Sequence, residues 1–378
     1  MKNKITVANI FLLVLILLLG LLYLLYKHNH HPKSLIMQPA QPTTQPTTAP
    51  IPTQLSQHPL ALHTAIPYWV QDEAFASFSK NVSKFEYVSL FWYFVSSDQE
   101  VLKYTDAKED TSIIDFAHQH NIKVFALITN LPESEGSDWD SDRIRPILAS
   151  PKTRAKHIND LVNLVESKNF DGINIDYEQL DADLKDPFST FIHELTVAMH
   201  ARGKLVSVAL HPKSGENISI EDNGSRAQDW KSLTRDADQL YLMAYGEHWD
   251  TSTAGPIASI PWDEKIIAYA KKLQLPMNKL FLGTPLYATR WAKNEKNGEG
   301  LTFKEVMDLE ATYGVQPVWD DKAKSPSVTY SHDGEVYNVW YENSQSVEEK
   351  KKLAEKTGLG GISFWNLGGE DPDIWHLF

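Results

Sequence analysis

The sequence predicts an α/β chain built on a (β/α)8 barrel of the TIM type, and three observations carry that expectation. From Ala61 onward, short apolar runs alternate with amphipathic stretches, the order that gives a parallel sheet covered by helices. Eight such runs fall within about 318 residues, the length over which a closed eight-stranded barrel forms. Aromatic and polar residues recur just past the ends of these runs, where a barrel collects its working loops on one face.

Lys2 and Lys4 precede an apolar segment, Ile5 to Tyr26. As a helix it spans roughly 33 Å, enough to cross a bilayer. It exceeds the apolar region of a cleaved signal and is followed by Lys27, His28 and Asn29 rather than small residues, so residues 1–31 read as an uncleaved anchor. The leading lysines orient it with the rest of the chain exported, to the periplasmic or extracellular side; secretion after cleavage is the alternative. Residues 32–60 are rich in Pro, Thr and Gln, with the near-repeat Q-P-T-T-Q-P-T-T, and read as a disordered linker. The barrel is expected over residues 61–378.

Strands are expected at Ala65–Val70, Tyr87–Val95, Lys123–Thr129, Gly172–Tyr177, Leu205–Leu210, Gln239–Tyr245, Leu280–Leu286 and Gly361–Trp365. Amphipathic stretches at Thr153–Lys168, Pro187–Arg202, Pro261–Leu273 and Ser346–Thr357 supply helices between them. One interval is too long for a single crossover. Residues 291–344 are expected to form a small α+β insertion between strands seven and eight, with a hairpin turning at Asp333-Gly334.

The stretch from Phe170 to Glu178, F-D-G-I-N-I-D-Y-E, alternates apolar and polar residues from Ile173. Side chains on a strand switch faces at every residue, so Asn174, Asp176 and Glu178 share one face. Carboxyls that close cannot both ionise freely, which raises one pKa and keeps a general acid protonated near neutral pH. Around them stand Tyr68, Trp69, Asn130, His211, Tyr245, Tyr287 and Trp365, all at predicted strand ends. Aromatic platforms beside paired carboxyls suit sugar rings and their glycosidic oxygens.

Composition excludes other classes. A net charge of -13 cannot replace phosphate counterions, so no nucleic-acid partner is expected. There is no cysteine for a thiolate metal site, and His211, His248 and His376 lack a metal-ligand spacing, so no metal or cofactor is expected. The His28–His31 run is read as a hydrated juxtamembrane segment.

At these residues the chain resembles glycoside hydrolase family 18, the family of chitinases, endo-N-acetylglucosaminidases and spore-cortex-lytic enzymes. D-G-I-N-I-D-Y-E matches the family pattern D-x-x-D-x-D-x-E, supported by L-M-A-Y-G at 242–246, G-T-P-L-Y-A-T-R-W at 283–291 and G-I-S-F-W-N-L-G at 361–368. The stretches around M-A-Y-G-E-H-W and W-N-L-G-G-E-D-P-D-I-W look most like the bacterial cell-wall and cortex-lytic branch. The resemblance implies a retaining, substrate-assisted hydrolysis of β-1,4 bonds after N-acetylglucosamine-type sugars, in peptidoglycan or chitin. It assigns catalysis to Glu178, Asp176 and Tyr245, and substrate binding to Asn174, Trp365, Tyr68, Tyr287, Met243, Glu247 and Trp249. Two positions depart from the family: Asn174 replaces its middle Asp, and Gly246 replaces an Asp that follows the Met-x-Tyr in many members. Glu247 or His248 would have to compensate for the latter. The alternative function is a non-hydrolytic, lectin-like member of the same fold, and the retained Glu178 weighs against it. The expected partners are an N-acetylated polysaccharide and, through the N-terminal helix, a membrane; the chain is expected to be a monomer.

Overall fold

In the computed structural model, residues 59–133, 138–215, 224–293 and 297–378 are described. The expected anchor, and the linker up to residue 58, lie outside them. Among the described residues no helix is long and apolar enough to cross a membrane.

Eight parallel strands close into a ring: β1 (Ala61–Pro67), β2 (Tyr87–Val95), β4 (Lys123–Thr129), β5 (Gly172–Asp176), β6 (Leu205–Leu210), β7 (Gln239–Leu242), β8 (Leu280–Pro285) and β14 (Gly361–Trp365). Pairing of β1 with both β14 and β2 completes the barrel, while the short β3 (Val101–Lys103) runs antiparallel against β2. The strands are buried on both faces, which is why they read as apolar runs.

The first strand departs from expectation. The ladder begins at Ala61 and ends at Pro67, and Tyr68–Val70 turn into a 3-10 helix leading to α1 (Gln71–Lys80). Proline brings no N–H to a further rung, so the ladder stops there. The strands expected to reach Tyr177, Tyr245 and Leu286 end at Asp176, Leu242 and Pro285.

Helices α2 (Ser112–Gln119), α3 (Ser141–Leu148), α4 (Pro151–Ser167), α5 (Lys185–His200), α6 (Trp230–Asp236), α7 (Ile260–Lys272) and α9 (Ser344–Thr357) follow barrel strands or the insertion. In α4 the sequence sets both the cap and the buried face. Ser150 caps it in a reciprocal box with Thr153, and His157, Ile158, Leu161, Val162 and Val165 form its buried stripe. Gly172 opens β5 because a Cβ there would lie 2.3 Å from the Phe125 ring and 2.5 Å from the Leu205 carbonyl oxygen.

Between β8 and β14 lies an antiparallel sheet of β9 (Ala288–Ala292), β10 (Gly298–Leu301), β11 (Val318–Asp320), β12 (Ser325–His332) and β13 (Glu335–Tyr341), with α8 (Phe303–Tyr313) on one face. Asp333 and Gly334 both take positive φ, 47° and 81°, as the tight turn between β12 and β13 requires. The sheet is tied to the barrel face by Trp291, whose Nε1 donates to the Trp249 carbonyl at 3.2 Å.

Candidate active site

The period-two rule on β5 sorts its residues. Ile173, Ile175 and Tyr177 point outward to the helices, where the Tyr177 hydroxyl meets His157 Nε2 at 2.7 Å and its ring stacks on Phe191. Asn174 and Asp176 therefore point into the barrel, with Glu178 two residues further at its mouth. All three line one cavity of about 1060 Å³ at the C-terminal ends of the strands.

Asn174 and Asp176 are buried, and each leaves one oxygen, Oδ1, without a hydrogen-bond partner. Asn174 Nδ2 donates to Ser89 Oγ at 3.4 Å. Beneath it, His63 bridges Ser89 Oγ at 2.8 Å and Ser363 Oγ at 2.7 Å and stacks on Tyr241. Burial pushes His63 down to about 3, so this floor is neutral.

Both acids are pushed toward the protonated form. Burial raises Asp176 to about 7. Burial also raises Glu178 well above the ordinary carboxylate range, and the nearby charges of Asp176 and Asp138 add to it. Tyr245 is raised by burial and then by Asp176, Tyr287 and Glu178, so its phenol stays neutral and able to donate.

Neighbouring strand ends fix the main chain of Glu178. Asn130, just past β4, accepts its N–H and donates to its carbonyl. His211, just past β6, brings Nε2 to 3.5 Å from Glu178 Oε2, while Gln179 donates its main-chain N–H toward the same nitrogen at 3.4 Å.

The walls are aromatic. Trp69, Trp139, Trp249, Trp262 and Trp365 line the cavity together with Phe91. Trp69 is 51% exposed and meets Trp365 edge-on at 6.3 Å. Such faces stack on sugar rings, and a platform this exposed is not needed for the core.

Of the residues expected to bind substrate, Asn174, Trp365, Met243, Glu247 and Trp249 line the cavity, whereas Tyr68 and Tyr287 are not among its walls. Tyr68 instead stacks on Tyr104 at 4.7 Å behind Trp69. The 3-10 turn after Pro67 breaks the strand period, so Trp69 takes the inward place. The Glu247 carboxylate also accepts the Ser259 main-chain N–H at 2.8 Å at the start of α7, and His248 Nδ1 lies 2.8 Å from the Thr253 carbonyl. Asp138, Trp139, Trp262 and His63 were absent from the expected set. Loop placement governs Asp138 and Trp139, for which the D-W-D run after β4 was the one local signal, and placement at a helix start governs Trp262. Among the described residues there is no group of three or more His, Asp or Glu side chains arranged around a metal position.

The family model for glycosyl hydrolases family 18 matches residues 64–371. The uncharacterized glycosylase YvbX of Bacillus subtilis (strain 168) is 26% identical over 269 residues, 70% of this chain and 76% of that protein. The cortical fragment-lytic enzyme of Bacillus anthracis is 26% identical over 274 residues, 71% of this chain and 62% of that protein. The crystal structure of a chitinase from Chromobacterium violaceum ATCC 12472 superposes with a TM-score of 0.75 at 27% identity, covering 84% of this chain and 98% of that one.

Proposed function

Because the chain belongs to glycoside hydrolase family 18 and is a glycosidase, we propose that it cuts β-1,4 bonds after an N-acetylglucosamine-type sugar with retention of configuration. The observation that carries this reading is the pair Asp176 and Glu178, both pushed toward the protonated form inside a tryptophan-lined cavity.

Glu178 gives its proton to the departing glycosidic oxygen as the C–O bond breaks. The sugar's own acetamido oxygen attacks the anomeric carbon, forming an oxazolinium ring, so the protein supplies no nucleophile. Asp176, as a carboxylate, accepts the acetamido N–H and offsets the positive charge growing on that ring. The Tyr245 phenol donates to the acetamido oxygen and holds it for attack. Glu178, now a carboxylate, takes a proton from water, which attacks the anomeric carbon from the face the leaving group vacated and opens the ring. Trp365 forms the floor below the reacting sugar.

Peptidoglycan is the favoured polymer and chitin the second. The cortical fragment-lytic relative supports the first, the chitinase neighbour the second. The apolar segment Ile5 to Tyr26 supports tethering at a membrane, with the barrel on the exported side.

The test is incubation of the protein with peptidoglycan and with chitin oligomers, followed by mass spectrometry of new reducing ends and proton NMR of the first anomer formed. Glu178→Gln is expected to abolish cleavage while binding of N-acetylglucosamine oligomers persists. Inverted product, or wild-type protein that binds but never cleaves, would sink the proposal.

A further inference from the structure

Asn174 cannot store a proton for the acids on its strand, which leaves the question of what holds the proton of Glu178 between turnovers. The candidate is on the other side of the cavity. His211 is buried, lines the cavity, and has its main-chain N–H bound to Gln228 Oε1 at 2.8 Å. Gln228 is buried too and donates on to the Ala209 carbonyl at 3.1 Å, so the main chain that carries the ring is fixed from behind.

The tautomer follows from Gln179. Its main-chain N–H points at His211 Nε2, so that nitrogen is an acceptor and the ring proton sits on Nδ1. The same bare nitrogen is 3.5 Å from Glu178 Oε2. Two lone pairs facing at that distance repel unless one atom carries hydrogen, and only the carboxyl oxygen is free to do so. Contacts of this length tighten when substrate closes the site.

We propose that His211, neutral and accepting through Nε2, holds the acid proton on Oε2 of Glu178 and is thereby a positioning residue for the general acid, a role that rests on the hydrolytic reading above. The charged and titratable groups around the pair are consistent. Asp176 and Asp138 face Glu178, Tyr245 faces it from beyond β7, and Lys213 acts on His211. Burial and Lys213 hold His211 down to about 3, so the ring is neutral and one of its two nitrogens is bare.

Two measurements decide it. In the wild-type protein at pH 7, nitrogen-15 NMR is expected to report a neutral Nδ1–H ring at His211; an Nε2–H tautomer or an imidazolium overturns the proposal. His211→Leu keeps the bulk but removes the acceptor. It is expected to move the alkaline limb of the pH–kcat/KM profile down by about one unit. His211→Gln, which keeps an accepting oxygen, is expected to fall between leucine and wild type. A limb that stays put or moves up in the leucine variant, or a glutamine variant shifted further than leucine, overturns it. If no N-acetylated glycan is cut by the wild type, the functional reading fails, and the ring tautomer still decides the role of His211.

Discussion

The side-chain amide of Asn130 closes on both main-chain groups of Glu178, accepting its N–H at 2.8 Å and donating to its carbonyl at 2.9 Å. The β4–β5 ladder ends at Thr129 and Asp176, so this amide extends it by a side chain where the backbones part. The same Nδ2 donates to the Asp140 carbonyl at 3.1 Å, joining the acid to the loop that carries Asp138 and Trp139. Loss of both bonds to Glu178 removes about 2 kcal/mol of positioning. Asn130→Ala is therefore expected to lower kcat about 30-fold with KM little changed. Asn130→Asp sets a carboxylate against two carbonyls and is expected to do no better. Steady-state kinetics on an N-acetylglucosamine oligomer checks this, and an unchanged kcat removes the clamp from the mechanism.

The raised pair of acids sets a pH profile. Asp176 is neutral below about 7 and becomes a carboxylate above it. Glu178 is raised well above the ordinary carboxylate range by burial and by the charges of Asp176 and Asp138. Activity is expected to rise with pH as Asp176 ionises and to fall where Glu178 loses its proton, the two limbs belonging to the pair as a unit. Asp176→Asn is expected to remove the acid limb and lower kcat by about 10²–10³. A wild-type profile that only declines from pH 4 upward would contradict these assignments.

Much of this was legible in the chain, and the exceptions have physical causes. Tyr87–Val95, Lys123–Thr129, Leu205–Leu210 and Gly361–Trp365 stand as strands with the bounds their apolar runs imply. The first strand was displaced because His63 and Thr64 interrupt the apolar pattern, yet both are buried, His63 between two serines inside the barrel. Asn174 and Asp176 were readable because a two-residue period fixes their face. Trp139, Trp262 and Asp138 were not, since loop path and helix register decide where they point.

The insertion is joined to α9 by a buried ion pair. Lys350 Nζ lies 2.9 and 3.0 Å from the two oxygens of Glu342, just past β13, with Ser346 Oγ donating at 2.6 Å, and both charged side chains are essentially out of solvent. Removing one partner strands the other, so Lys350→Met is expected to cost about 3–5 kcal/mol. The double variant Lys350→Met with Glu342→Leu is expected to recover most of that loss, because neither charge remains to be desolvated. Urea unfolding of the three proteins measures both values. Equal destabilisation by the single and double variants would mean that packing, not charge, dominates there.

Beside that pair, Asp263 of α7 is fully buried, and neither carboxyl oxygen has a hydrogen-bond partner. Burial raises its pKa well above the ordinary value; Lys350 pulls it down, and Glu342, Glu247 and Glu264 push it up. The folded protein thus holds a proton that the unfolded chain releases above about 3.9. Folding stability falls as pH rises from there toward the folded pKa, since the native state binds the extra proton. Asp263→Asn removes this penalty. Its stability relative to wild type is expected to grow by about 1.4 kcal/mol per pH unit over that interval and to be constant below pH 4. Denaturant titrations at pH 4, 5.5 and 7 check the slope. A difference independent of pH would mean that Asp263 is ionised in the fold, held by Lys350 despite its burial.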